Sequence, residues 1–362
     1  MKRSCSPYNT LCEGLRPLIP GASKPQINNL ALFVWGLVMT GHVHLPKIAL
    51  RIPVPGSVRN ALQRLERFLN NKAIAPTEWY KGVARAVLAC WRGAEIELIM
   101  DQTDLDDRFP LLFVAVTFRK RAIPILWRLL PHEGCSGFAE QKKLLDQVAK
   151  WLPKDTKIVV YADREYGSAA LFDWLDKKGW FFVIRMKKDI WCKMACGRLF
   201  QIQEIPLGRG QINFEDAVFL CALPTLRLSL NCGWSSLDPK DEPWYLLTNL
   251  PVGKDILNRY ARRFWIEEMF RDFKTQGFRL DQTQLELGKR VSVLVMCVCI
   301  AYAWTMFLGT TLENEGKRRE IDRPTKHQLS LFQFVIRYLQ RLLARGEEMP
   351  KQFRLSSPKY EG

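Results

Sequence analysis

The segment RYARRFWIEEMFRDFK, residues 259–274, offers an aromatic hydroxyl, a guanidinium, a carboxylate and an ammonium along one predicted helix. At 100° per residue, Tyr260, Arg263, Glu267 and Lys274 fall within roughly 60° of one another, while Ile266, Met269 and Phe273 gather on the other side. The stripe is therefore free to face a solvent-filled cleft. Two readings fit it. One is a solvated face with intrahelical pairs such as Arg263 with Glu267, contributing about 0.2–0.5 kcal/mol each. The other is chemical: Glu267 holds a metal ion, Arg263 and Lys274 hold phosphates beside it, and Tyr260 contacts a nucleic-acid strand. The second reading needs further carboxylates close by.

Two acids stand where they could supply them. Asp101 follows the alternating EIELIM, and Asp163 closes the apolar KIVVYAD. Alone, each reads as a turn or cap residue. On neighbouring strands about 4.8 Å apart they would converge at one edge of a sheet, where a helix packed across it adds a third carboxylate. Hard oxygen donors suit Mg²⁺ or Mn²⁺ and not thiophilic metals. Two such ions about 3.5–4 Å apart make the attacking water or 3′-hydroxyl more nucleophilic and stabilise the leaving oxygen of a phosphodiester. Glu268 is the nearest rival to Glu267, but it lies 100° round the helix. Asp104, Asp106 and Asp107 read as loop residues or as supports to the first site.

The elements that must position these groups can be read along the chain. Residues 1–92 form a helical region. In it Ser57 is placed as an N-cap to SVRNALQRLERFLNN, with Val58, Leu62, Leu65 and Phe68 inward and Arg59, Arg64 and Arg67 elsewhere. A solvated bundle face and a DNA-binding face explain Arg64 and Arg67 equally well. His42 and His44 read as loop residues. Residues 93–188 carry three strands in a meander, then helix, strand, helix and strand, which predicts a mixed sheet flanked by helices. Residues 189–243 lack a long helix and predict an all-β insertion. The core resumes over residues 244–310, and a basic helical tail occupies residues 311–362.

Composition narrows the partner. The chain has 362 residues, 48% of them apolar, and a net charge of +17 from 54 Lys and Arg against 37 Asp and Glu. A surplus spread along the chain points to a polyanion, with nucleic acid ahead of an anionic membrane. The start, MKRSCSPYNTLCEG, has no apolar run after its basic residues, so no secretory signal is expected and a reducing cytoplasm suits the ten cysteines. Cys192, Cys196, Cys221 and Cys232 lack the tight pair spacing of a zinc ribbon. The uncharged run VSVLVMCVCIAYAWTMFL, residues 291–308, reads as a buried core helix rather than a membrane span.

The spacing Tyr, two residues, Arg, three residues, Glu, six residues, Lys is met by Tyr260, Arg263, Glu267 and Lys274, and it resembles the signature of the insertion-sequence 4 family of DDE transposases. MDQTDL around Asp101, ADREYG around Asp163 and WYLLTNLPV before the signature are similar to family segments in the same order. The resemblance runs from about residue 30 to residue 310. It implies an α/β, ribonuclease-H-like core whose Asp101, Asp163 and Glu267 ligate two Mg²⁺ or Mn²⁺ ions, with a β-rich subdomain inserted before Glu267. It further implies that Arg263 and Lys274 touch phosphates of the transposon end and that Tyr260 positions the cleaved strand. Trp244 is similar in context to a tryptophan that stabilises a flipped base in members that form a DNA hairpin, Trp234 being the weaker alternative; a core role for either fits as well. The expected activity is cleavage at transposon ends and transfer of the 3′-OH ends into target DNA, by a homodimer, with DNA as partner and no membrane. Two alternatives are a related metal-dependent DNA endonuclease and a catalytically silent DNA-binding protein derived from a transposase.

Overall fold

The computed structural model describes residues 7–91, 94–105, 108–235, 242–286, 288–323, 327–347 and 350. Five helices come first: α1 (Pro7–Leu15), α2 (Lys24–Thr40), α3 (Leu45–Ala49), α4 (Val58–Leu69) and α5 (Pro76–Leu88). Ser57 does cap α4, its hydroxyl accepting from the Asn60 N–H at 3.3 Å. The inward face of α4 is carried by Ala61, Leu65, Phe68 and Leu69, whereas Val58, expected inside, is 47% exposed at the first helical position.

The meander then appears as β1 (Ile96–Leu105), β2 (Phe109–Phe118) and β3 (Arg121–Leu129), followed by α6 (Phe138–Ala149), β4 (Ile158–Ala162), α7 (Ala169–Lys177) and β5 (Phe181–Arg185). β1 pairs antiparallel with β2 and parallel with β4, and β4 is parallel to β5. The order β3-β2-β1-β4-β5 is the mixed sheet expected of a ribonuclease-H-like core. β2 is apolar at nearly every position because helices cover both its faces, α6 on one and the later helix Trp265–Phe273 on the other.

The segment after β5 is β-rich, as its composition suggested: β6 (Trp191–Met194), β7 (Leu199–Gln201), β8 (Ile212–Leu220) and β9 (Leu223–Gly233). These strands extend the main sheet instead of forming a separate one. β9 pairs with β10 (Trp244–Thr248), and β10 pairs with β5, so ten strands run in the order β3-β2-β1-β4-β5-β10-β9-β8-β6-β7.

After β10 come α8 (Lys254–Ala261), a 3₁₀ turn (Arg262–Phe264) and α9 (Trp265–Phe273), then α10 (Gly288–Asn314) and α11 (Leu331–Arg345). The stretch from Arg259 to Lys274 is therefore not one unbroken helix. α10 is apolar all round, and 94% of its most hydrophobic window is buried, packed against α2, α5, α11 and β3. Arg318, beyond α10, ties this region to Asp322 and to the Leu329 carbonyl before α11.

Candidate active site

The parallel register sets the first two acids. Ile99 is opposite Tyr161 on β4, and carrying that register two residues on places Asp101 beside Asp163. Glu97, Ile99 and Asp101 share one face of β1, the face on which Phe113 of β2 meets Phe270 and Phe273 of α9 at ring separations of 5.5 and 6.0 Å. The helix carrying Glu267 is thereby packed over the strand carrying Asp101.

Arg263 joins the two. Its Nη1 lies 3.3 Å from Asp101 Oδ2 and its Nη2 lies 2.5 Å from Glu267 Oε1. The Arg263 side chain is only 9% exposed, Asp101 14% and Glu267 44%, so the carboxylates grade from the sheet towards solvent. Asp101 Oδ1 accepts from the Gln102 N–H at 2.8 Å, and Asp163 caps the turn Arg164–Tyr166 through the Glu165 N–H at 2.9 Å. The cap role foreseen for a lone strand-end Asp is thus present at Asp163, and it occupies one of its oxygens.

Burial pushes the Asp101 carboxyl up to about 7; Arg263 opposes this, while the negative charges of Asp163 and Glu267 add to it. Arg263 stays charged, its burial outweighed by the surrounding Tyr260, Asp101, Glu267 and Asp163. Asp101 and Glu267 share one guanidinium, and Asp163 adds its charge at Asp101. Such a donor set, hard oxygens with mutual repulsion, fits a divalent cation of the Mg²⁺ or Mn²⁺ kind. As placed, no group of three or more His, Cys, Asp or Glu among the described residues closes into a metal-holding cluster. The guanidinium stands between two of the three acids.

Other expectations change with the coordinates. Tyr260 and Arg263 do not face an open cleft: both are buried, Tyr260 to 1% exposure. Trp244, at the start of β10, is equally buried, edge-on to Tyr260 at 4.9 Å and stacked on Phe264 at 5.7 Å. In this conformation neither ring offers a face to DNA, and contact with a strand requires this packing to open. Trp234 is half-buried, with the Arg209 guanidinium 5.8 Å from its ring. Lys274 follows α9 with non-helical angles (φ −97°, ψ −106°), because the chain turns back there and the Phe278 N–H donates to the Asp272 carbonyl. Gly277 makes that turn possible, since a Cβ would sit 1.8 Å from the same carbonyl oxygen.

Glu268 turns away from the site to pair with Arg121 of β3 at 3.2 Å and Arg271 at 2.8 Å. Asp104 lies within β1, paired to Pro110, and alternation points it away from the Asp101 face. Asp106 and Asp107 lie outside the described residues. On α4, Arg64 Nε donates to Asn29 at 2.6 Å and Arg67 is exposed; both line a groove of about 400 Å³ with Asn60. Cys192 and Cys232 are buried on β6 and β9, with both thiols pushed up to about 12.

Two residues that sequence reasoning passed over belong to this site. Glu97, 4% exposed, accepts from Tyr161 at 2.7 Å and Thr117 at 3.2 Å and binds Arg262 Nη1 with both oxygens at 2.6 Å. It pins the 3₁₀ turn to β1 two strand repeats below Asp101. Burial within ADREYG, and after it the charges of Asp101 and Asp163, raise the Tyr166 hydroxyl well above the usual tyrosine range. A charged residue inside the apolar run of β1 was the available signal for Glu97.

Residues 137–304 match the family model described as a transposase DDE domain, a stretch that contains Asp163 and Glu267 and begins after Asp101. Over that stretch, with its mixed sheet and flanking helices, the chain is similar to a transposase DDE domain. No curated protein matches the chain.

Proposed function

We propose that the chain is a transposase of the insertion-sequence 4 kind that cleaves the ends of its element and joins the freed 3′-hydroxyls to target DNA by direct transesterification. The observation that carries this reading is the bridging of Asp101 and Glu267 by Arg263, beside an Asp163 aligned with Asp101 on the next strand. Asp101, Asp163 and Glu267 are the residues to hold two Mg²⁺ or Mn²⁺ ions, which when bound supply an activated nucleophile and a stabilised leaving oxygen.

The chain's own groups do the rest. Asp101, whose proton affinity is raised, must give up its proton before it can ligate. Arg263, released from the carboxylates, is within reach of a phosphate bound at them, and Lys274 at the end of α9 adds a second cation. Glu97 holds the turn that carries Arg263. Tyr260, Trp244 and Phe264 brace the same turn from β10, and opening of that packing would expose a ring to a displaced base. Arg64 and Arg67 on α4 contact the transposon end. Two ends must meet, so the working form is a homodimer, in the cytoplasm and associated with the nucleoid.

The test replaces each acid singly by Ala and measures Mg²⁺-dependent nicking of DNA bordering the chain's own gene. Nicking is expected to vanish in Asp101→Ala, Asp163→Ala and Glu267→Ala while binding of the same DNA persists. Retained nicking in any one removes that residue from the site. Nicking without joining of 3′ ends reduces the reading to an endonuclease.

A further inference from the structure

A second cationic surface lies between α5 and α6. Lys142, Lys143 and Lys150 along one side of α6 face Lys81 and Arg85 of α5 across a groove of about 740 Å³, with Arg128 of β3 also in its lining. Two carboxylates share the walls: Glu78 pairs with Lys81 at 3.9 Å and Asp146 with Lys142 at 2.7 Å. Lys143 and Lys150 have no carboxylate partner among the described residues. Arg128 Nε is buried with no hydrogen-bond partner among them. Six cations against two anions in a concave surface focus a positive potential, of which the pairs to Glu78 and Asp146 and the Arg85 contact to the Lys150 carbonyl use only part.

The groove has a direction. Gln102, the residue after Asp101, donates to the Gly134 carbonyl at 2.8 Å and accepts from the Ser136 N–H at 3.1 Å, which fixes the loop entering α6. The start of α6 is thus held at the end of the sheet where the carboxylates stand. Lys150 lies about 18 Å further along the helix. The cations line the face of the sheet that α6 covers, across the sheet from α9 and Glu267, on an element different from the α4 groove of Arg64 and Arg67.

Its chemistry selects a partner. Four of the six cations are lysines, point charges on flexible stems suited to phosphates, and of the two arginines Arg85 is already engaged by the Lys150 carbonyl at 3.4 Å. Phosphate contacts position a duplex without reporting its sequence. Arg64 and Arg67 of α4 are assigned above to the transposon end, which leaves the target as the duplex without a seat. We propose that the α5–α6 groove seats the target duplex by its phosphates, independently of sequence; this rests on the transposase reading above.

The experiment combines Lys81→Ala, Lys143→Ala and Lys150→Ala, with Lys→Arg at the same three positions as the conservative control. Affinity for a duplex of arbitrary sequence is measured across a salt series. The Ala variant is expected to bind about tenfold or more weakly at low salt, with a slope of log K against log salt shallower by about two to three, and the Arg variant to match wild type. In strand transfer the Ala variant needs more target DNA and recovers at saturating target, while its nicking of end DNA is unchanged. An unchanged salt slope and target dependence overturns the proposal. So does an equal loss of end nicking, which assigns the groove to the transposon end. If wild type fails to nick at all, the transposase reading falls, while the salt series still decides whether the groove holds DNA.

Discussion

Arg263 occupies the space between Asp101 and Glu267, 3.3 Å from one carboxylate and 2.5 Å from the other, and only 9% of its side chain meets solvent. A guanidinium so placed neutralises in cis the charge that a divalent cation would neutralise when bound. Removing it leaves the largely buried Asp101 without its counter-charge, with the partly exposed Glu267 close by. Arg263→Ala is therefore expected to lower stability by about 3 kcal/mol in EDTA at pH 8, read by urea unfolding. The loss should shrink when Mn²⁺ is added; an equal loss with and without metal rejects the exchange of one cation for the other.

The Asp101 carboxyl gives this site a pH dependence. Its proton affinity in the fold is raised from the ordinary 3.8 to about 7, chiefly by burial. The folded chain thus holds this proton over the window from about 4 to 7, where the unfolded chain has lost it, so this group's contribution to stability falls as pH rises through that window. Metal ligation requires the ionised form and relieves the penalty. The rise in melting temperature caused by Mn²⁺ should be larger at pH 8 than at pH 6, and calorimetry near pH 6 should record proton release. Equal shifts at both pH values, with no proton released, contradict a ligand role for Asp101.

Glu267 and Glu268 separate cleanly by partner. Glu267 faces Asp101 through Arg263, whereas Glu268 is drawn to Arg121 and Arg271. Glu267→Ala should abolish Mg²⁺-dependent nicking. Glu268→Ala should keep activity within about an order of magnitude and cost no more than about 1 kcal/mol, as a partly exposed pair does. The reverse pattern in the nicking assay would falsify the assignment.

Glu97 tests the clamp beneath the site. It is 5% exposed at the side chain and is held by Arg262, Arg259, Tyr161 and Thr117. Glu97→Ala removes the buried carboxylate that Arg262 and Arg259 share, but Arg259 keeps Glu95 and the Arg262 side chain is 38% exposed, so the loss should be about 2–3 kcal/mol. Glu95, 27% exposed and paired with Arg259 and Lys157, should cost less than about 1 kcal/mol when replaced by Ala. Similar losses for the two would show that burial at Glu97 is not what holds the turn.

Trp244 is 1% exposed between Tyr260 and Phe264. Truncation to Ala should cost about 3–5 kcal/mol through the cavity left behind, measured by denaturant titration. Less than about 1 kcal/mol would mean that the ring spends its time outside this packing.

Much of this molecule was legible along the chain because the relevant signals are local. Alternation and apolar runs predicted the strands of the core and the helices between them, and Ser57 marked the start of α4. A uniform apolar surface marked α10 as buried, and the order Asp101, Asp163, Glu267 with its surrounding words carried the family resemblance. Helical periodicity placed Arg263 and Glu267 on one side one turn apart, and they do meet. Composition also predicted that residues 189–243 would be β-rich.

Other features depend on contacts between segments far apart in sequence. No Pro or Gly between Arg259 and Lys274 announces the 3₁₀ turn at Arg262–Phe264, and it is Glu97 and Asp101 on β1 that take the guanidiniums of Arg262 and Arg263. Burial of Tyr260 follows from Trp244 packing on it, although an isolated helix would have left that side to solvent. The β-rich segment joins the main sheet because β9 finds the free edge of β10, a choice of partner that a strand's own sequence does not contain. Residue types and spacing thus determined which groups were available for chemistry, since those depend on neighbours a few residues away. Only the tertiary structure decided which of them meet, because register and helix packing are set by the whole core.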